Sequence, residues 1–298
     1  MLTKIGFGIL ILLFAGLTYS FTAGKDDLVV RNVEIKSELL PASFDGMRIV
    51  HISDIHIKNY DDPDLIDKLI KTINDERPDL LVYTGDYGSP ADMLNGPGIL
   101  SRINAPFGKY AVIGNHDYGE SEKASDNWKD ENYKLSIKNK LKSIYKKWDV
   151  KLLLNESEVV EIENDSIALI GVEVYDPHHG FNDSRIDAAV EDVNEIPFKI
   201  LLNHNPDLWD NEILGKRDIQ LTLSGHTHGG QIGVMLGAIK FSFAQLMFDR
   251  WGGLYQENDQ YLYVNSGLGW YGVSLRMGIP AEVTVIKLSA DDKELVSN

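Results

Sequence analysis

Five short apolar segments of this chain each run into a residue that can hold a metal ion. Met47 to Ser53 precedes Asp54, Asp79 to Thr84 precedes Gly85-Asp86, and Lys109 to Ile113 precedes Gly114-Asn115. Lys199 to Asn203 precedes His204, and Gln220 to Leu223 leads to Gly225-His226. Short apolar runs closed by polar or glycine turns read as strands. Open α/β sheets bind ligands beyond the carboxyl ends of their strands, where loops from neighbouring strands converge. The pattern therefore constrains the fold to one that gathers these five strand ends.

The rest of the chain supplies the other layers. Pro63 to Asn74 places Leu65, Leu69, Ile70 and Ile73 on one helical face, and Trp128 to Trp148 reads as a long amphipathic helix. Leu28 to Ile35 is Val-rich and strand-like. Glu158 to Ile162 and Ser166 to Val172 form a hairpin turning at Asn164-Asp165, and Tyr261 to Asn265 and Glu282 to Leu288 are late strands. Helices alternating with two groups of strands predict an α/β fold of two packed β-sheets flanked by helices.

The ligand-type residues are chemically coherent. In Asp54-x-His56, side chains two apart at a strand end point to one side, and His226-x-His228 repeats the arrangement. Asp86 has two oxygens with which to bridge two ions, and Gly85 permits close backbone approach. Asn115 offers a neutral amide oxygen, and His204 a further imidazole. Nitrogen and oxygen donors without sulfur suit Mn, Fe or Zn.

Taken together, D-x-H at 54–56, G-D at 85–86, G-N-H-D at 114–117, His204 and G-H-x-H at 225–228 resemble the calcineurin-like metallophosphoesterases from about Met47 to the C-terminus. The Gly229-Gly230-Gln231 extension and Asn265-Ser266-Gly267-Leu268-Gly269 resemble a bacterial branch with N-terminal export or anchor segments. That branch includes phosphodiesterases and UDP-2,3-diacylglucosamine pyrophosphatases. The resemblance implies a four-layer αββα sandwich and a first metal held by Asp54, His56, Asp86 and His228. The second would be held by Asp86, Asn115, His204 and His226, with Mn favoured for both. It further implies that His116 acts catalytically, stabilising the transition state or protonating the leaving oxygen, while a metal-bound hydroxide attacks phosphorus. A small phosphodiester, pyrophosphate or nucleotide-lipid is the implied substrate. A non-catalytic metal-binding scaffold would be expected to lack His116 or several ligands, and none is missing.

His51, inside a strand, reads as a hydrogen-bonded core histidine. His178 and His179 follow Asp176-Pro177 in a loop from which His178 could touch substrate. Arg276 could grip phosphate through a bidentate contact or form a surface ion pair. Trp251, Tyr255, Trp270 and Tyr271 suit either ordinary packing or an apolar lip. Lys138, Lys140, Lys142, Lys146 and Lys147 suit a solvated helix face.

At the N-terminus, Lys4 precedes an apolar run from Ile5 to Phe21 that lacks a polar face. With no good cleavage site after it, residues 1–23 are expected to be a signal anchor rather than a cleaved signal peptide. Residues 24–46 then form a linker and first strand, and 47–298 the metallophosphoesterase domain, held at the cytoplasmic membrane of a bacterium. A formal net charge of -16 disfavours nucleic acid and charge-driven docking on anionic lipid. The chain has no cysteine, which excludes disulfides, thiolate metal sites and thiol nucleophiles.

Overall fold

In the computed structural model, which describes residues 14, 16, 18–22, 24–119, 130–177, 180–236 and 239–291, two six-stranded sheets pack face to face. The first contains β1 (Leu28–Ser37), β2 (Arg48–Ile52), β3 (Leu80–Tyr83), β4 (Lys109–Ala111) and β5 (Lys151–Leu152). The second contains β6 (Glu156–Ile162) and β7 (Asp165–Gly171), then, after the small hairpin β8 (Tyr175–Asp176) and β9 (Phe181–Asn182), β10 (Lys199–Leu202) and β11 (Leu221–Ser224). A second small hairpin, β12 (Gly233–Leu236) and β13 (Ile239–Ser242), precedes its last strands, β14 (Gly253–Glu257) and β15 (Gln260–Val264). Finally β16 (Ala281–Ala290) returns to the first sheet between β1 and β2.

Side-chain alternation sets the layers. Leu80 and Val82 of β3 face the second sheet, where Ile200 and Leu202 of β10 and Leu221 and Leu223 of β11 meet them. Leu81 and Tyr83 point the other way, onto α1 (Pro63–Asp75) and α3 (Glu131–Lys147), the helices on either side of the short α2 (Pro90–Asn95). Leu201 turns outward, beneath α4 (Ile186–Val190) and Trp209. The order is thus helix, sheet, sheet, helix. Strands buried on both faces carry unbroken apolar runs, which is why the strand ends stood out in the sequence.

Two helices differ in detail from expectation. In α1 the buried face carries Ile66, Leu69, Ile70 and Ile73, with Asp62 capping the N-terminus and Leu65 only half-buried. The described part of the long helix begins at Glu131, capped by Asp130, which accepts from Tyr133 N at 2.8 Å. Its lysines are more engaged than a solvated face requires: Lys138 pairs with Glu173 at 2.9 Å and Lys142 with Glu156 at 3.2 Å. The expected anchor falls on residues 1–23, of which 1–13, 15, 17 and 23 lie outside the described residues. Among the described residues no helix is long and apolar enough to cross a membrane.

The parallel strands β2, β3 and β4 of one sheet and β7, β10, β11 and β15 of the other end on the same side. Loops leaving them meet across the sandwich.

Candidate metal centre

Backbone hydrogen bonds join four of the five loops in pairs before any side chain is considered. Asp54 N donates to Gly85 O at 2.9 Å and His56 N to Asp86 O at 3.0 Å, so the loops after β2 and β3 run side by side. Gly225 N reaches His204 O at 2.9 Å, joining those after β10 and β11. Leu268 N and Gly269 N donate to Ser53 O and Asp54 O, closing the late loop over the first. Glycine is required where the loops touch. A Cβ at Gly114 would collide with Asp86 Oδ1, and one at Gly225 with Ser53 Oγ and Asp54 Oδ2.

Backbone strain concentrates at the same place. Eleven described non-glycine residues have positive φ, and Asp54, His56, Asp86, His226 and His228 are five of them. Left-handed backbone at bulky residues persists only where surrounding structure enforces it, commonly at functional sites.

The side chains gather in two groups. Asp54, His56 and His228 form one and Asp86, His204 and His226 the other, with the ligand atoms of each within 4.8 Å of one another. His56 Nε2 and His228 Nε2 lie 3.1 Å apart, and His228 Nε2 lies 3.5 Å from Asp54 Oδ1. In the second group His226 Nδ1 and His204 Nε2 are 3.1 Å apart. Asp86 Oδ2 stands between the groups, 3.2 Å from His204 Nε2 and 3.8 Å from His56 Nε2. Asn115 is buried and lines the same cavity, as does His116, whose Nε2 is 4.0 Å from Asp86 Oδ2 and whose N donates to Asp86 Oδ1 at 2.9 Å.

Outer partners fix the imidazoles. His204 Nδ1–H donates to Thr84 O at 2.7 Å, which leaves Nε2 for a ligand. Asp176 Oδ2, 3.5 Å from His226 Nε2, leaves Nδ1 of that ring facing the second group. Asp117 has a larger role than its place in the sequence motif suggested. Fully buried, its carboxylate accepts from the backbone N of Asp86, Tyr87, Gly88 and Gly114 at 2.8–3.1 Å, tying two loops together. Gln231 acts similarly at the rim: its Oε1 accepts from Tyr271 N at 2.6 Å while Nε2 donates to Val273 O and Leu275 O. That sets the Tyr271 ring 5.1 Å from His116. Sequence reasoning gave Asp117, Asp176, Thr84 and Gln231 no role. The local hint for Asp117 is its place in G-N-H-D, where Asp so often accepts backbone N–H groups in turns.

Other expectations land differently. Arg276 is not placed to meet a phosphate. Its guanidinium is buried and donates to the carbonyls of Ser266, Gly267, Gly269, Ile279 and Pro280, so it folds the late loop around itself. His178, with His179, lies outside the described residues. His51 is buried with Nε2 2.9 Å from Thr84 Oγ1, and burial pulls its pKa down to about 3, keeping it neutral in the core. Of the four aromatic residues, Trp251 is buried and Tyr255 OH accepts from Trp251 N, whereas Tyr271 stands exposed at the cavity mouth.

The electrostatics suit a cation. Asp54, Asp86 and Asp117 are all buried within this small volume, and uncompensated buried anions are costly. Burial, and secondarily Asp86, push Asp117 up to about 7, and burial raises Asp54 to about 6. Burial works against a proton on His204, but the Asp86 carboxylate outweighs it and raises that ring to about 10. His56 falls to about 4 and His228 well below its ordinary range, chiefly through burial. The proton held on His204 thus stands where a cation would, and the donor set of carboxylate, imidazole and amide fits a hard-to-borderline divalent ion. Because that pKa is raised to about 10, a cation binding between pH 6 and 9 must displace the His204 proton. Mn affinity is therefore expected to strengthen as pH rises from 6 to 9, by about tenfold per pH unit for each proton released. Calorimetry in buffers of different ionisation enthalpy counts those protons directly, and a pH-independent affinity would contradict this account.

The centre opens into a cavity of about 460 Å³. It is lined by the polar Asp86, Asn115, His116, His226 and His228 and by the apolar or aromatic Phe243, Ala244, Met247, Phe248 and Tyr271.

Comparison with known proteins agrees with this arrangement. The calcineurin-like phosphoesterase domain matches residues 47–230, more than half of the chain, a span that holds all seven candidate ligands and His116. The metallophosphoesterase YkuE of Bacillus subtilis is 31% identical over 291 residues, 93% of this chain and 92% of that protein. A Bos taurus transmembrane protein with a metallophosphoesterase domain is 29% identical over 88% of this chain, which spans 57% of that protein. The UDP-2,3-diacylglucosamine pyrophosphatase LpxG of Chlamydia trachomatis is 26% identical over 83% of this chain and 84% of its own length. The chain belongs to the calcineurin-like phosphoesterase family and is a metal-dependent phosphoric ester hydrolase.

Proposed function

We propose that this protein cleaves phosphodiester or pyrophosphate bonds with two divalent ions, the first held by Asp54, His56, Asp86 and His228. Asp86, Asn115, His204 and His226 hold the second. The observation that carries this reading is the position of Asp86 Oδ2, within 4 Å of an imidazole nitrogen in each three-residue group. When bound, such ions neutralise phosphoryl charge and acidify a water molecule. Mn is the preferred ion, with Fe and Zn compatible with the same donors.

The chain's own groups do the remaining work. Asp86 holds the two halves of the site in register and fixes His116 through the backbone N of that residue. The His116 imidazole, on the cavity lining and outside the two ligand groups, delivers a proton to the leaving oxygen. Thr84 O and Asp176 present His204 and His226 in the ligand-ready orientation. The apolar run 5–21 serves as an anchor at the bacterial cytoplasmic membrane, a reading supported by its hydropathy alone, and 47–298 form the catalytic domain.

A second reading, pyrophosphatase action on a nucleotide-lipid such as UDP-2,3-diacylglucosamine, is favoured by the apolar cavity lining of Phe243, Met247 and Phe248.

The test is hydrolysis of a chromogenic phosphodiester and the matching monoester by the chelator-stripped protein before and after Mn is restored. Diester cleavage that returns with Mn, and falls about 100-fold in kcat for His116→Ala, is expected. Equal rates in both proteins, or turnover in the stripped protein, would sink the assignment. Activity on the nucleotide-lipid alone would select the second reading.

A further inference from the structure

The rim of the cavity is unusual for so acidic a chain. Residues 232–248 and 267–281 contain one charged side chain each, Lys240 and Arg276, although a quarter of all residues are charged. Arg276 is buried, and Lys240 turns its ammonium to the carbonyls of Gly252 and Leu254 and over the Tyr255 ring. Apart from Lys240 and Gln245, the exposed side chains described in these segments are apolar or aromatic. Leu246 is 79% exposed and Met247 71%, beside the exposed Phe243; Tyr271 lines the same cavity, and Val273, two residues on, is also exposed. Val234 and Phe241 pair across the β12–β13 hairpin, on its face opposite Lys240, and are also exposed. Contiguous exposed apolar surface of this kind marks an interaction site.

Described residues of the N-terminal segment, Gly16 and Ser20, meet the fold beside these loops. An ideal Cβ on Gly16 would lie 4.0 Å from Met277 Sδ, and Arg276 N donates to Ser20 O at 3.4 Å. Met277 in turn is bridged to Ile232, at the start of the uncharged segment, and its O accepts from Gly233 N. Phe14, in the same N-terminal segment, is 74% exposed. The rim and the described residues of that segment therefore adjoin on one face of the fold. We propose that this face docks on the surface of a lipid bilayer, the Leu246–Met247 tip entering the interface so that the cavity opens onto phosphate groups presented by the membrane. Apolar burial drives the docking, since the net charge of -16 opposes anionic headgroups. The docking extends the phosphohydrolase reading to interfacial substrates, but does not depend on it.

Because the chain has no cysteine, Leu246→Cys in the full-length protein gives a single site for a polarity-sensitive nitrobenzoxadiazole label. Leu135→Cys, also exposed but on α3, gives the control. On adding phosphatidylcholine vesicles, the label at 246 is expected to brighten several-fold and shift to the blue, be quenched by doxyl-lipid, and respond less when phosphatidylglycerol is included. The label at 135 should stay water-like. If the two positions respond alike, the proposal is overturned. A shift at 246 that grows with protein concentration without lipid would also overturn it, assigning the rim to a second copy of the chain. Turnover of a soluble diester by Leu246→Asp, expected within about twofold of the parent, separates failure of docking from failure of the hydrolase itself.

Discussion

Asp86→Asn is expected to lower Mn-dependent diester hydrolysis roughly a thousandfold or more, the equivalent of about 4 kcal/mol or above. The substitution preserves shape, and an amide oxygen can still accept the hydrogen bond from His116 N. What it removes is the anionic oxygen lying 3.2 Å from His204 and 3.8 Å from His56. His204 would also lose the carboxylate that raises it to about 10, so its proton would leave at lower pH. The signature is therefore a loss of kcat together with weaker binding of one ion and fewer protons released per ion bound. Steady-state kinetics across an Mn titration checks the first part. Activity within tenfold of the parent would remove Asp86 from its bridging role.

Asp117→Ala is expected to act through the fold rather than through the reaction. Four backbone N–H groups, those of Asp86, Tyr87, Gly88 and Gly114, point at this one buried carboxylate. A buried donor left without an acceptor costs about 1–3 kcal/mol, and the four are coupled, so a total loss of roughly 4 kcal/mol is expected. Urea unfolding of the metal-free protein measures that loss. Mn affinity should fall as well, because the same bonds hold Asp86 and Gly114 where the loops meet. Asp117→Asn should recover only part of the stability, since its amide brings N–H groups toward donors. A variant within about 1 kcal/mol of the parent would mean that the backbone finds other acceptors.

Much of the architecture was legible because it depends on local pattern. Strands buried on both faces need continuous apolar runs, and the residue following each run had to lie at a sheet edge. Asp54, Asp86, Asn115, His204 and His226 could thus be placed near one another before any coordinates existed. The roles of Asp117 and Gln231 could not be placed, because they come from backbone groups of loops remote in sequence. Arg276 shows the reverse error. An arginine in a glycine-rich loop near a phosphate site reads as a phosphate clamp or a surface ion pair, yet here that loop curls so that its own carbonyls take up the guanidinium. Only the path of residues 266–280 reveals this, and no periodicity encodes it. The apolar rim was half visible: Tyr271 was singled out for its ring, but Phe243, Leu246 and Met247 had no pattern distinguishing them from core.

The claim at the centre of this account is a pair of ions sharing Asp86. Electron paramagnetic resonance of the chelator-stripped protein titrated with Mn tests it most directly, with diester turnover followed in the same samples. Two ions bound per chain, a spin-coupled signal that appears with the second ion, and turnover that rises with that signal are the expected result. A single uncoupled ion supporting full activity would contradict the account.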